Sequence, residues 1–165
     1  MTRQELEVYL TDIYGATGEA LFARYPGFQV FRHTGNRKWF AVIMDIPRKN
    51  LKLSGEGEIS VVNLKCDTRL IGSFRMEPGI FLGWHMNKAH WLTVALDGTV
   101  DDEKIKFLVD MSYEVTNGRG LASPVCHLIT HIHPKTDLLI LHRASRVSQL
   151  RFTTPIISRK SIRQW

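Results

Sequence analysis

The chain has 165 residues, of which 44% are hydrophobic and 23% are charged, and it contains two cysteines. This composition is typical of a globular domain of ordinary size and excludes collagen-like and wholly disordered chains. No apolar run approaches the roughly 18 residues of a membrane helix. The N-terminus carries acids among its apolar residues, which excludes a secretory signal, so we expect a cytoplasmic protein with reduced thiols.

Positive charge is concentrated near the C-terminus. Residues 1–117 hold 14 Lys and Arg against 15 Asp and Glu, whereas residues 118–165 hold eight Lys and Arg against Asp137 alone. We therefore predict a domain over residues 1–117 followed by a basic C-terminal extension over 118–165. Three interpretations of the extension stay open: contact with an acidic partner, a structural addition to the domain, and a poorly ordered segment.

A helix is predicted at the N-terminus. Thr2 followed by Glu5 has the spacing of a capping box, and Gly15 is a natural helix stop. Between them, apolar residues recur at helical spacing: Leu6, Tyr9, Leu10, Ile13 and Tyr14. A further helical turn or two is expected over residues 19–24, before Pro26-Gly27.

Five strands and a short helix are predicted next. The strands cover residues 28–33 and 38–46, joined as a hairpin by a turn, and then 59–66, 81–86 and 91–96. Asp67 is expected to cap the short helix, which runs through Ser73.

A final helix completes the domain. Three acids, Asp101 to Glu103, suit its first turn, and Asn117-Gly118 ends it. Its inward stripe is Ile105, Leu108, Val109, Ser112 and Tyr113. The order of elements predicts an α+β fold with two layers, in which helices cover one face of a single antiparallel sheet.

Several blocks of sequence resemble the MmcQ/YjbR family. They occur in the family's order and together span residues 1–117: Val30 to His33, Lys38 to Ala41, Asn63 to Asp67, His85 to Trp91, Thr93-Val94, Leu96 to Gly98 and Leu108 to Tyr113. The resemblance implies a compact domain like that of CyaY, and DNA binding through a double-wing surface. It implies no catalytic activity. The chain departs from the pattern at Val100, where many members carry proline.

The hairpin region is strongly basic. Residues 32–52 contain six Lys and Arg against Asp45 alone. Such a surface gives salt-sensitive phosphate binding without sequence preference, and Trp39 or Trp91 could add stacking. The residues predicted to bind nucleic acid are Arg32, Arg37, Lys38, Arg48, Lys49, Lys65, Lys88 and His90. An equally weighted interpretation is that the charges protect a sheet edge from aggregation.

Residues 85–91 form the densest polar and aromatic cluster. As a recognition patch, Lys88 would meet an anion and His90 would donate a hydrogen bond. As a self-contained turn, the cluster would be held by its own hydrogen bonds, with Trp91 packed in the core; this second interpretation is favoured for Trp91 and Asn87.

The sequence predicts no enzyme, cofactor or metal site. Cys66 ends a strand and is expected to be inert core, and no phosphate loop or nucleophile elbow is present. Cys126 and four histidines of the extension match no standard zinc spacing. The preferred prediction is a non-enzymatic DNA-binding protein; the alternative is a protein- or small-ligand-binding module that acts like a chaperone.

Overall fold

The protein is described by a computed structural model over residues 1–118. Its helices are α1 (Arg3–Tyr14), α2 (Thr68–Phe74) and α3 (Asp102–Thr116), and its strands are β1 (Gln29–Arg32), β2 (Trp39–Pro47), β3 (Glu58–Lys65), β4 (Ile80–Leu82) and β5 (Trp91–Ala95). The strands form one antiparallel sheet in the order β1-β2-β3-β5-β4. The predicted α+β class and antiparallel sheet are confirmed. The predictions for Cys126 and for the rest of the extension lie outside the described residues.

The ends of α1 follow the sequence. The Glu5 amide donates to the Thr2 hydroxyl at 3.3 Å, and the Thr2 amide donates to the Glu5 carboxylate at 2.7 Å, which together form the predicted capping box. These bonds lower the pKa of Glu5. Gly15 ends the helix with a φ of 61°, in the left-handed region. One member of the predicted apolar stripe is misplaced, because the Ile13 side chain is 58% exposed.

The helical turn predicted over residues 19–24 is wrong. Glu19 instead exchanges two backbone hydrogen bonds of 3.0 Å with Val30 on β1. Because β1 lies at the edge of the sheet, its outward amide and carbonyl groups need partners, and this bridge satisfies one pair of them. The requirement of the sheet edge prevails over the local helical pattern.

The helices pack on one face of the sheet. Leu6 and Leu10 of α1, together with Ile105 and Leu108 of α3, are almost fully buried there. They meet alternate strand residues, which include Phe31, Ile43, Val62, Leu64, Leu92 and Val94. This arrangement gives the predicted helical layer.

The other face of the sheet is also buried, which the sequence analysis did not predict. A second apolar cluster lies there: Val30, Val42, Met44, Ile46, Leu51, Ile59, Val61 and Ala95. Half-buried aromatic residues from outside the strands, including Phe22, Phe28 and Trp84, pack against it. Connecting segments therefore take the place that a second helical layer would have.

A β-bulge interrupts the hairpin at Phe40. Phe31 pairs with Ala41, but Arg32 pairs with Trp39, so β2 contributes one extra residue. Phe40 and Ala41 consequently both join the core on the helical face, and Trp39 packs on the second face. The Ser112 hydroxyl of α3 donates to the Phe40 carbonyl and accepts from the Lys65 amide at 2.7 Å, which ties β2 to β3 beside the bulge.

Candidate nucleic-acid interface

The eight predicted nucleic-acid-binding residues do not share one surface. Arg48 and Lys49 follow Pro47, at one end of β2, whereas Arg37 and Lys38 precede Trp39 at the other. A nine-residue strand separates its ends by about 26 Å, at roughly 3.3 Å per residue. The prediction of a single basic hairpin face is therefore corrected: the local excess of charge is divided between two ends of the sheet.

The end of the sheet at Trp39 collects the remaining predicted residues. Arg32, Trp39, Lys65 and Trp91 lie at the ends of β1, β2, β3 and β5, which are successive neighbours in the sheet. Residues two or four apart in a strand share a face, so Arg32 lies on the face of Val30, Lys65 on that of Val61 and Trp91 on that of Ala95. Trp39 packs on the same second face. We call them the cation–tryptophan row. With strands about 4.8 Å apart, the row extends over roughly 14 Å.

Each cation of the row is paired with an indole. The Arg32 guanidinium lies 5.7 Å from the Trp39 ring centroid, and the Lys65 Nζ lies 6.0 Å from the Trp91 ring centroid. Both distances allow a cation–π attraction. All four side chains are half-buried.

The hairpin cations differ in how far they are already neutralised. Glu19 lies 3.5 Å from the Arg32 Nε and 3.1 Å from an Arg37 terminal nitrogen, so one carboxylate faces two guanidinium groups. The Arg32 Nε is buried and, within residues 1–118, has no hydrogen-bond partner. Lys38 is exposed. Lys38 is therefore the hairpin cation most available to a ligand.

The segment over residues 83–90 brings Lys88 and His90 beside the row. The His90 and Trp91 amides both donate to the Asn87 carbonyl at 3.0 Å, and the Asn87 side chain accepts from the Ala89 amide. The His90 carbonyl accepts from the Cys66 amide at 2.8 Å, which joins the segment to the end of β3. Lys88 and His90 are exposed. The segment is therefore a turn held by its own hydrogen bonds, and it also exposes the Lys88 and His90 side chains to a ligand.

A buried polar latch holds this segment against the second face. The Thr93 hydroxyl accepts from the Trp84 backbone amide at 2.8 Å and donates to the Asn63 side-chain oxygen Oδ1 at 2.6 Å. The Asn63 side-chain nitrogen Nδ2 in turn donates to the Trp84 backbone carbonyl at 2.9 Å. Asn63 and Thr93 are 1% and 0% exposed and face each other across β3 and β5. The latch explains why the strand predicted over 81–86 ends at Leu82.

Aromatic rings extend across the second face. Tyr25 stacks on Phe28 with centroids 4.9 Å apart, and Phe28 meets the Trp84 ring edge-on at 6.3 Å. Phe22 meets Trp39 edge-on at 6.0 Å. The sequence pattern does not predict this cluster, because Phe22 and Tyr25 lie in a segment without alternating strand residues. The concentration of aromatics between Phe22 and Phe28 was the available signal.

The hairpin turn is fixed to the last turn of α3. The buried His33 Nε2 lies 2.7 Å from the Thr116 hydroxyl, and the Asn36 side-chain amide donates to the Thr116 carbonyl at 3.0 Å. Thr116 donates its own hydroxyl proton to the Ser112 carbonyl, so His33 is the donor in their contact. Burial lowers the pKa of His33. These contacts hold the turn that carries Arg37 and Lys38.

The described residues give little support for a cysteine nucleophile, a metal site or a membrane-spanning helix. Burial raises the pKa of the Cys66 thiol to about 12, and Asp67 adds to the shift, so the thiol is a poor nucleophile. Within residues 1–118, no three His, Cys, Asp or Glu side chains lie close enough together to hold a metal ion. Over the same residues, no helix has the length and apolar character to cross a membrane.

A polar groove of about 360 Å³ lies between α1 and β1. It is lined by Arg3, Gln4, Glu7, Thr11, Gly18, Gln29 and Phe31. Its charged groups are already paired, since Arg3 contacts Glu7, Asp45 and the Gly27 carbonyl. The groove therefore offers a small charged ligand little unsatisfied binding capacity.

The chain is similar to a family model and to proteins of several bacteria. The family model named YjbR matches residues 11–115. The uncharacterised protein YyaQ of Bacillus subtilis is 33% identical over 116 residues, covering 70% of this chain and 98% of that protein. A crystal structure of a Pseudomonas syringae protein has a TM-score of 0.69 at 37% identity, covering 70% of this chain and 99% of the other. A Deinococcus radiodurans protein has the same fold, with a TM-score of 0.56 at 24% identity, covering 74% and 83% of the two chains.

Proposed function

The chain belongs to the YjbR family, and we propose that it is a non-enzymatic, cytoplasmic DNA-binding protein whose domain contacts DNA at the end of the sheet that carries the cation–tryptophan row. The contacting residues are Lys38, Lys65, Lys88 and His90, with support from Arg32 and Arg37. Arg48 and Lys49 lie at the other end of β2 and are excluded from this surface.

The observation that carries the proposal is the position of Lys65. The sheet-edge interpretation of the basic residues applies to edge strands, but β3 is the middle strand of the five. A lysine at the end of a central strand, beside exposed Lys88 and His90, protects no edge. Clustered cations that face solvent beside an aromatic ring are instead typical of surfaces that bind the phosphate backbone.

The proposal predicts that charge removal matters by location. We would compare the full-length variant K65Q/K88Q with K49Q/K52Q, a matched control in which two lysines are lost around the 3-10 helix (Arg48–Leu51) at the far end of β2. The readout is fluorescence anisotropy of a labelled 15-base-pair duplex between 50 and 200 mM salt. The basic C-terminal extension is present in both variants, so its own attraction for DNA cancels in the comparison.

K65Q/K88Q should bind more weakly than K49Q/K52Q. Its plot of log affinity against log salt should flatten by up to about 1.8, because each lost phosphate contact removes about 0.9 from the slope. Equal losses in the two variants would indicate undirected electrostatic attraction and refute the proposed surface. Unchanged binding by K65Q/K88Q would refute it as well, provided that thermal unfolding shows both variants to be folded.

A further inference from the structure

Trp91 differs from the other two tryptophans of the described domain. The Trp39 ring has Phe22 against it, and the Trp84 ring lies between Phe28 and His85. Within residues 1–118, Trp91 takes part in no aromatic ring pair, and the Lys65 Nζ lies 6.0 Å from its ring centroid. Its indole is therefore not committed to the aromatic cluster that covers the second face.

The backbone around Trp91 is closely fitted. The Gly83 amide donates to the Trp91 carbonyl at 2.9 Å. A Cβ atom at position 83 would lie 2.7 Å from the Trp91 Cβ and 3.0 Å from its carbonyl oxygen, so only glycine fits there without a shift. On the other side, Trp91 pairs with Lys65 of β3. The backbone that carries the indole is thus held on both sides. A ligand would therefore bind without first having to order this backbone.

One cation, Lys65, lies over this half-buried ring, and two exposed polar residues, Lys88 and His90, precede Trp91 in the chain. An aromatic face beside cations is the combination that binds an unpaired base and its phosphate together. Resting on the proposed function, we propose that Trp91 stacks against an unpaired nucleobase, so that the cation–tryptophan row selects single-stranded nucleic acid.

Duplex DNA cannot satisfy the same surface fully. Its bases stack on one another, and an internal base reaches a protein aromatic ring only after it is unstacked and unpaired, which costs free energy. A single strand offers its bases at much lower cost. Lys65 and Lys88 can contact phosphates of either form, so phosphate attraction gives affinity while Trp91 supplies the preference.

The first experiment needs no variant. The full-length protein is titrated with labelled dT15, with a strand of 15 abasic sites and with a 15-base-pair duplex. dT15 and the abasic strand carry the same phosphates and differ in the bases. We expect dT15 to bind about 5- to 150-fold more tightly than the abasic strand, the range for one stacked base. A ratio near one would overturn the inference.

The second experiment assigns the preference to Trp91. In the variant W91L, the ratio of the dT15 affinity to the abasic-strand affinity should fall to near one. The variant W91F should keep part of the parental ratio, since phenylalanine retains an aromatic ring. K65M, which keeps an apolar stem, should weaken binding of both strands and leave their ratio above one. A folded W91L protein that retains the parental ratio would show that bases stack elsewhere, which overturns the inference.

A third measurement covers the case in which W91L does not fold. A dT15 strand carrying one 5-iodouracil is cross-linked to the unmodified protein by ultraviolet light, and the attached peptide is identified by mass spectrometry. Attachment at Trp91 supports the inference; attachment confined to other aromatic residues overturns it. The proposed function is judged separately, because K65Q/K88Q can weaken duplex binding even if the base preference is absent.

Discussion

The substitution of Thr93 by valine tests the buried polar latch. Valine nearly matches threonine in shape but has no hydroxyl. The Trp84 backbone amide and the Asn63 side-chain oxygen Oδ1, which contact that hydroxyl at 2.8 and 2.6 Å, would both lose a partner in a region closed to water. The segment over residues 83–90 would then lose one of the contacts that hold it against β5.

The expected cost follows from these two groups. A buried donor or acceptor left without a partner costs about 1–3 kcal/mol. Two such groups, partly offset by the added methyl group, give about 2–4 kcal/mol. The control T93S keeps the hydroxyl and loses one methyl group, which costs about 1 kcal/mol. T93V should therefore be less stable than T93S, although it buries more carbon.

The assay is equilibrium unfolding in urea. With a slope of roughly 2 kcal/mol per molar, we expect the T93V midpoint to lie about 1–2 M below that of the parent, and the T93S midpoint to lie within about 0.5 M of the parent. A T93V protein that unfolds at the same urea concentration as T93S, or at a higher one, would refute the reasoning. Any loss of DNA affinity should be larger in T93V than in T93S, since Lys88 and His90 depend on the same segment.

Protonation and truncation provide two further tests. Because burial lowers the pKa of His33 below its ordinary value of 6.5, the folded state disfavours the protonated ring; stability should be fully present above pH 6.5 and decline as the pH falls below it. In urea unfolding, the stability of H33Q should decline less between pH 7 and pH 5 than that of the parent. An equal decline in the two proteins would contradict the assignment of this pH dependence to His33. Deletion of residues 121–165 should leave a cooperative thermal transition within a few degrees of the full-length midpoint, because the two core clusters of the described domain and the end of α3 precede it. Aggregation or a broad transition would show that the extension completes the core.

The elements of the fold could be predicted where a local signal decides them. The Thr2–Glu5 capping box and Asp67 as a helix cap involve contacts within a few residues, and both occur. The Glu19 bridge and the end of β4 at Leu82 depend on partners distant in sequence, Val30 and Thr93 respectively. Local pattern predicted a helix and a longer strand in those places, because it carries no information about those partners.

The candidate site was predictable in part for the same reason. Charge counting identified Lys65 and Lys88, and the polar cluster over residues 85–91 added His90; the sheet brings these residues to one end. It also assigned Lys38 and Lys49 to one surface, because residues close in sequence were assumed to be close in space. An intervening strand of nine residues separates them. The pairing of Lys65 with Trp91 depends on strand order, which the sequence pattern of individual strands does not determine.

The bulge at Phe40 determines that Trp39 lies on the face of the sheet that carries the cation–tryptophan row. Successive strand residues point to opposite faces, so one extra residue exchanges the faces of everything between it and the turn. Without the bulge, uninterrupted alternation from Ala41 in a strand of the same length would direct Trp39 towards α3, away from the Arg32 side chain on the second face, whereas deletion of Phe40 would remove the bulge and leave Trp39 opposite Arg32. In a relative, a regular strand of the same length would therefore turn the residue at position 39 away from the row, whereas a strand that lacks only the bulged residue would keep it there.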